Sequence, residues 1–130
     1  MNEDFVSFEL AVKLKEKGFD EPCNAVYNPT TYELQVTITT WRNSKDALIT
    51  SPTISQVLKW LLEEKKIYIE IGLCHDGYFA QVNTNVYWGK DFADEEELFY
   101  TSHPRQRIYG NITPEQAALA GIEYVLDNLI

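Results

Sequence analysis

Apolar residues recur at helical spacing near the start of the chain, in the stretch FELAVKLKEK. Leu10 and Leu14 fall on one face of a helix, and Ser7 stands where an N-cap residue is expected. Gly18 is typical of a helix end in which glycine takes the left-handed C′ position. Phe19 then follows as C″ and packs over Leu14. The pattern therefore predicts a first helix that begins after Ser7 and ends at Gly18.

Two later stretches carry the same spacing, and each is preceded by a capping signal. Thr53 and Gln56 have the spacing of a capping box. Thr113, Pro114 and Gln116 supply an N-cap, a first-turn proline and a second capping box. We therefore predict two more helices. Their apolar faces comprise Ile54, Val57, Leu58, Leu61 and Leu62 in the second helix, and Ala118, Ile122, Val125, Leu126 and Leu129 in the third.

Between the first two helices the apolar residues alternate with polar ones. In YELQVTITTW, Tyr32, Leu34, Val36 and Ile38 take every second position, which predicts a strand with one apolar and one solvated face. The shorter run NAVY precedes it across NPTT. The two runs predict a hairpin whose register is ambiguous by one residue.

A second hairpin is predicted in IYIEIGLCHDGYFAQVNTNVYW. The dipeptide Asp76-Gly77 is typical of a type I′ turn, in which both central residues have positive φ. With these two at the centre, His75 faces Tyr78 and Ile71 faces Val82 on an apolar side of the hairpin. The opposite side, called here the outer face, carries Tyr68, Glu70, Gly72, Cys74, Phe79, Gln81, Asn83, Asn85 and Tyr87.

Residues 89–112 lack clear periodicity and are interpreted as an irregular excursion with one short strand around Leu98 to Thr101. The predicted order is therefore α-β-β-α-β-β-α. A sheet with one apolar face is stabilised by helices on that face, which favours an α+β two-layer sandwich with an antiparallel sheet. The length of 130 residues favours a single domain over residues 1–130.

The stretch CHDGYF places three chemically versatile residues in a row, but the strand prediction separates them. Successive side chains of a strand point to opposite faces, so Cys74 and His75 do not converge on one metal ion. A third ligand would have to come from His103, Asp91 or the acidic loop. No phosphate-binding glycine loop, nucleophile elbow or H-E-x-x-H motif occurs. We therefore predict no catalytic residue, no metal site and no cofactor.

The charge of the chain narrows its possible partners. It has 20 acidic and 11 basic side chains and a net charge of −9, and residues 91–130 hold eight acidic and two basic ones. Direct nucleic-acid binding is not expected of so acidic a chain. No apolar run is long enough to span a membrane, and the acidic N-terminus is unlike a secretory signal. We expect a cytoplasmic protein in which Cys23 and Cys74 are reduced.

Two features remain as candidates for partner binding. Trp60 lies on the side of the second helix away from its apolar face, where it is either covered by the excursion or free for an intermolecular contact. The outer face combines aromatic rings with amides, a combination suited to a partner surface or a flat ligand and also found on plain solvated sheets. The predicted partner-binding residues are Trp60, Tyr68, Phe79, Gln81, Asn83 and Tyr87.

Three sequence segments that contain the predicted helices resemble a known group of proteins. FELAVKLKEKGFDEPC, SPTISQVLKWLLEEKKIYIEI and EQAALAGIEYVLDNLI resemble a group of small uncharacterised proteins of gut anaerobes and of their phages and mobile elements. The similarity covers about half of the chain and consists of helix caps and core positions. It implies a cytoplasmic context and an accessory role, and brings no activity or catalytic residue with it.

Three functional hypotheses follow from the sequence. The first is a non-catalytic protein-interaction module that binds a protein or a second copy of itself. The second is an acidic decoy or inhibitor of a nucleic-acid-binding protein, whose binding would weaken steeply with salt. The third is a small hydrolase or metal-dependent enzyme that uses His75, His103, Asp91 and a cysteine.

Overall fold

The computed structural model describes residues 5–43, 48–90, 96–99 and 106–130, and for residues 87–90 and 96–99 it describes the backbone alone. The predicted α+β class and the order α-β-β-α-β-β-α are confirmed, with further short strands between the main elements. In chain order the elements are α1 (Phe8–Glu16), β1 (Cys23–Tyr27), β2 (Leu34–Trp41), β3 (Ile49–Thr50), α2 (Ile54–Lys65), β4 (Tyr68–Cys74), β5 (Gly77–Asn83), β6 (Tyr87–Lys90), β7 (Glu96–Phe99), β8 (Gln106–Asn111) and α3 (Pro114–Asn128).

The chain divides into two compact units. The first comprises the described residues up to Val57 together with Leu126–Ile130, and the second comprises Leu58–Val125. The first unit holds a three-stranded antiparallel sheet of order β2-β1-β3. The second holds a three-stranded antiparallel sheet of order β4-β5-β8 and the two-stranded sheet β6-β7. The prediction of a single domain over residues 1–130 stays a prediction.

The caps of α1 match the prediction. The backbone N–H of Leu10 donates to Ser7 Oγ at 3.3 Å, so Ser7 satisfies one of the free donors at the helix start. Gly18 has a φ of +90°, and the N–H of Phe19 donates to the carbonyl oxygen of Leu14 at 2.9 Å. These are the C′ residue and the C″-to-C3 bond of a Schellman ending. Phe19 and Leu14 are both fully buried, so the helix end is anchored in the core.

The two capping boxes are also present. Gln56 N–H donates to Thr53 Oγ1 at 3.2 Å, and Thr53 N–H donates back to Gln56 Oε1 at 2.9 Å. In α3, Gln116 N–H donates to Thr113 Oγ1 at 3.1 Å. The Gln116 side chain then accepts from the N–H of Ile112 at 2.9 Å, one residue before the expected donor. Both helices therefore begin where the sequence predicted.

The turn between β4 and β5 lies one residue earlier than predicted. Cys74 pairs with Gly77, so His75 and Asp76 are the two central residues, and the positive φ (+127°) falls on Gly77. The predicted type I′ turn centred on Asp76-Gly77 is therefore wrong. Each cross-strand pair shifts by two positions, so that Ile71 lies opposite Ala80. A shift of two leaves every side chain on its predicted face, because strand side chains alternate with a period of two.

The apolar face of this hairpin is buried over one half only. Ile69 and Val82 are buried, and α3 approaches this face at Gly121, where an added Cβ would stand 2.9 Å from Ile69 and 3.3 Å from Ala80. Nearer the turn, Leu73 is 72% exposed. The apolar side predicted for this hairpin is therefore exposed to solvent at the turn end.

Residues 89–112 contain more regular structure than the sequence indicated. β6 and β7 pair antiparallel from Tyr87↔Phe99 to Lys90↔Glu96, and β8 supplies the third strand of the sheet in the second unit. The interpretation as an irregular excursion is therefore wrong for the end of β6 and for β8, whereas β7 overlaps the short strand expected around Leu98 to Thr101. Asp91 and His103, the possible extra metal ligands, lie outside the described residues.

Within the described part of the chain, none of the helices has both the length and the apolar character to cross a membrane.

Candidate protein-interaction surfaces

A chain of hydrogen bonds runs across the outer face of the second unit's sheet. Arg107 Nε donates to Gln81 Oε1 at 2.7 Å, and Gln81 Nε2 donates to Asn83 Oδ1 at 3.0 Å. Asn83 Nδ2 then donates to Glu70 Oε1 at 3.0 Å. Every donor points the same way, from the guanidinium of Arg107 towards the carboxylate of Glu70. The charges at the two ends therefore fix the orientation of both amides, since a flip of either amide would place donor against donor. We call this arrangement the amide chain.

The amides at the centre of the chain are withdrawn from solvent. Gln81 is 4% exposed and Asn83 is fully buried, so the alternative of a plain solvated sheet is wrong for these two amides. They tolerate burial because they are hydrogen-bonded: Asn83 Nδ2 also donates to the carbonyl oxygen of Tyr68 at 3.1 Å. The outer face therefore has a dry centre with charged ends.

Aromatic rings flank the Arg107 end of the amide chain. The Phe79 ring lies over the backbone of Gly72, where an added Cβ would clash with Phe79 Cζ. The guanidinium carbon of Arg107 is 5.1 Å from the centroid of the Phe79 ring, and the Tyr109 ring is 5.6 Å from the same centroid. A cation over an aromatic face is attracted by the quadrupole of the ring. Because Gly72 has no side chain, the Phe79 ring can lie over its backbone, and the guanidinium of Arg107 packs against that ring.

The other predicted partner-binding residues are placed differently. Tyr68 is half-buried at the Glu70 end of the outer face. Tyr87 belongs to β6, and its side chain lies outside the described part. Trp60 is 5% exposed, and Lys65 Nζ lies 5.4 Å from its ring centroid. Of the two alternatives for Trp60, the one in which its ring is free for an intermolecular contact is wrong, since the ring is covered within the chain.

The CHD stretch forms a turn. His75 Nε2 lies 2.8 Å from Asp76 Oδ1, with the two side chains 92% and 66% exposed, while Cys74 is half-buried at the end of β4. Among the described residues, no three His, Cys, Asp or Glu side chains are grouped so that they could hold a metal ion. Cys23 and Cys74 are both free thiols.

Burial gives the two thiols different accessibility. Burial raises the pKa of Cys23 to about 11. At pH 8 we therefore expect iodoacetamide to alkylate Cys74 in the native protein and Cys23 only after denaturation, because the thiolate is the reactive form. Peptide mass spectrometry measures both sites, with Cys74→Ser as control. Equal labelling of both thiols in the native protein would contradict this difference in accessibility.

The raised pKa of Cys23 also makes stability depend on pH. Since Cys23 keeps its proton to higher pH when folded than when unfolded, its contribution to the free energy of unfolding falls as pH rises from 9 to 11.

A second surface lies in the first unit and was not foreseen. The alternating residues Tyr32, Leu34, Val36 and Ile38, called here the apolar stripe, were expected to form a buried strand face. All four are exposed, and Ile38 is 100% exposed. The expectation is wrong because β2 is the edge strand of its sheet, paired with β1 alone among the described strands. No charged residue occurs from Leu34 to Trp41.

A bulge in β2 explains why Ile38 protrudes. Ala25 of β1 pairs with Val36 and Cys23 pairs with Trp41, so residues 37–40 of β2 lie opposite the single residue Asn24. Asn24 Nδ2 donates to the carbonyl oxygen of Thr39 at 3.2 Å, which ties the bulge to β1. A bulge bends the strand and re-aims the side chains within it.

The start of the apolar stripe is held in an unusual conformation. Tyr32 has a φ of +62°, which is uncommon for a residue with a bulky side chain. Its ring packs edge-on against Phe8, with 4.7 Å between the centroids, and its N–H donates to the carbonyl oxygen of Asn28 at 2.8 Å. The first residue of the stripe is therefore fixed while its ring stays largely exposed.

Sequence reasoning missed two parts of these surfaces. Arg107 and Tyr109 reach the outer face through β8, a strand whose sequence QRIYGN lacks alternation. The apolar stripe was found as a pattern but assigned to the core. The absence of charge from Leu34 to Trp41, in a chain with a net charge of −9, was the available signal.

Comparison of the chain with protein-family models, with curated proteins and with solved structures finds no match.

Proposed function

We propose that the protein is a non-catalytic protein-interaction module that binds a partner protein through the apolar stripe. One observation carries the proposal: Ile38 is fully exposed on an edge strand on which Leu34 and Val36 are exposed as well. Monomeric proteins seldom expose contiguous apolar patches of this kind unless a partner covers them. The open edge of β2 adds backbone donors and acceptors that a partner strand can pair with.

The chemistry of the described residues supports a non-catalytic role. The exposed His75 and Asp76 bond each other in a turn, and the buried thiol of Cys23 keeps its proton at neutral pH. The polar groups of the amide chain are matched donor to acceptor. A decoy function and a hydrolase function remain hypotheses from the sequence.

Photocrosslinking at single positions tests this function. A photoreactive phenylalanine derivative replaces Ile38 in one variant and Gln35, on the same uncharged strand, in the other. We expect a crosslinked protein at position 38 and much less at position 35 when the variants are made in cells that naturally carry the protein. A product of twice the chain's mass identifies a second copy, and any other mass identifies a different partner. Absence of a product at both positions would refute the proposal.

A charge variant then measures the contribution of the apolar stripe. Ile38→Glu should weaken partner binding by about tenfold or more, since it places a charge at the centre of an apolar contact. Gln35→Glu adds the same charge on the same strand and should change affinity by less than about threefold. Both positions are exposed, so both variants should keep wild-type stability within about 0.5 kcal/mol. Equal loss of binding in the two variants would mean that charge, and not the apolar stripe, governs binding.

A further inference from the structure

The amide chain ends in two side chains of opposite charge on one face of the sheet. Gln81 of β5 lies opposite Glu70 of β4 on one side and opposite Arg107 of β8 on the other. Neighbouring strands are about 4.8 Å apart, so the two charged residues stand about 10 Å apart across three strands. The buried amides hold both ends in place, because each charged group bonds an amide that is itself fixed by its neighbour.

The guanidinium of Arg107 still has donors to offer. Its Nε is bonded to Gln81, and within the described ranges its two terminal amino groups have no hydrogen-bond partner. The Phe79 ring supports it from one side, and the residue is exposed. A guanidinium held in this way is pre-organised for a carboxylate, which it binds through parallel N–H groups. At the other end, Glu70 uses Oε1 for Asn83 and is half-buried.

Arg107 and Glu70 make the outer face self-complementary in charge. A two-fold symmetric interface requires each group on a patch to meet a complementary group of the same patch on the other copy. A two-fold axis that lies above the outer face and runs along β5 brings β8 of one copy over β4 of the other. We propose that the outer face docks onto a second copy of this chain, with Arg107 of each copy bound to Glu70 of the other.

The pairing of charges at the contact favours this occupant over an unrelated acidic protein. Two copies at −9 each repel one another over long distances, but that repulsion is screened within about 8 Å at physiological ionic strength. At contact, a second copy presents one carboxylate to each guanidinium and one guanidinium to each carboxylate. The exposed Tyr109 and the Phe79 ring border the Arg107 end and add apolar area around it. This surface is separate from the apolar stripe, so its test does not depend on the proposed function.

Charge exchange between positions 70 and 107 tests the pairing. The variants are Arg107→Glu, Glu70→Arg and the double exchange, compared with wild type by sedimentation velocity over a concentration series. We expect a wild-type dimer, and each single variant should dissociate with a Kd raised by about tenfold or more, because like charges then face each other. An equal mixture of the two single variants should form a heterodimer, in which both pairs are again opposite in charge. The double exchange should restore the homodimer.

The amide chain predicts that the double exchange folds. With both end charges reversed, both amides turn by 180° and the three bonds of the amide chain run in the opposite direction, at the cost of the bond from Asn83 Nδ2 to the carbonyl oxygen of Tyr68. Circular dichroism and thermal unfolding of each variant separate loss of folding from loss of dimer. If a single variant does not fold, Tyr109→Ala replaces it, since this exposed ring at the same end of the outer face should matter for docking and little for folding.

Three results would overturn the inference. The first is a wild-type chain that stays monomeric at about 1 mM, where even a weak dimer is half formed. The second is a dimer that folded single variants, or Tyr109→Ala, leave unchanged, which would place self-association on another surface such as the apolar stripe. The third is a mixture of the two folded single variants that associates no better than either variant alone.

Discussion

Replacing Gly77 by alanine is expected to lower the free energy of unfolding by about 3 kcal/mol, through backbone strain and a clash that the strand cannot relieve. Gly77 has a φ of +127°, a conformation that residues with a Cβ rarely adopt. A Cβ at this position would lie 2.5 Å from the carbonyl oxygen of Asn111. That oxygen belongs to β8, so relief requires β5 and β8 to separate near Tyr78, which pairs with Asn111. Urea unfolding followed by circular dichroism measures the loss.

Gly110→Ala is the matched control for this effect. Gly110 also has a positive φ, of +86°, but an added Cβ meets nothing within 4 Å. Only the strain of the left-handed conformation applies there, so the expected loss is about 1 kcal/mol. Equal losses at the two positions would show that the contact with Asn111 is relieved at no cost, and that β8 is held less firmly than its pairing indicates.

Replacing Asn83 by aspartate is expected to be the most damaging change on the outer face. The introduced carboxyl has no N–H to donate to Glu70 Oε1 or to the carbonyl oxygen of Tyr68, and it sets a second negative charge beside Glu70 in a fully buried position. A buried charge without a compensating partner costs about 3–5 kcal/mol at neutral pH. Asn85→Asp makes the same chemical change at an exposed position two residues away. It should cost less than about 0.5 kcal/mol.

The Asn83→Asp effect has a defined pH dependence. Burial and the neighbouring Glu70 raise the pKa of the introduced carboxyl above its unfolded value of about 4. The folded variant therefore binds its proton more tightly than the unfolded chain, and its stability relative to wild type falls as pH rises from about 4 through the folded pKa. Unfolding at pH 5 and pH 7.5 should show a smaller deficit at pH 5. A deficit independent of pH would mean that the lost donor, and not the added charge, dominates the effect.

The helices were predictable because their signals are local. Ser7, Thr53 and Thr113 each bond a backbone N–H three residues on, and such contacts involve only residues near in sequence. The ending at Gly18 and Phe19 is equally local. The sequence left open whether Trp60 is covered or free, because the residues that cover the side of a helix away from its apolar face are set by tertiary contacts. Helical spacing alone defines an apolar face without fixing its exact centre.

The sequence predicted which segments form strands, but not which of their side chains are buried. The face assignment of Ile69 and Val82 survived a register error because two registers that differ by two residues sort side chains identically. The exposure of Val36 and Ile38 depends on the edge position of β2 and on its bulge, and neither can be read from alternation. The burial of Asn83 depends on Arg107 and Glu70, which lie far apart in sequence and meet through the sheet.

All hydrogen bonds of the amide chain run in one direction, and this gives the second unit's sheet a side-chain dipole across its strands. Strand dipoles in an antiparallel sheet largely cancel, so such sheets have little net polarity of their own. Here four side chains add a dipole across the strands, with its positive end at Arg107 on β8 and its negative end at Glu70 on β4. A molecule that itself has a dipole is turned in this field so that its negative end meets Arg107 and its positive end meets Glu70, and the sheet thereby favours one angle of approach.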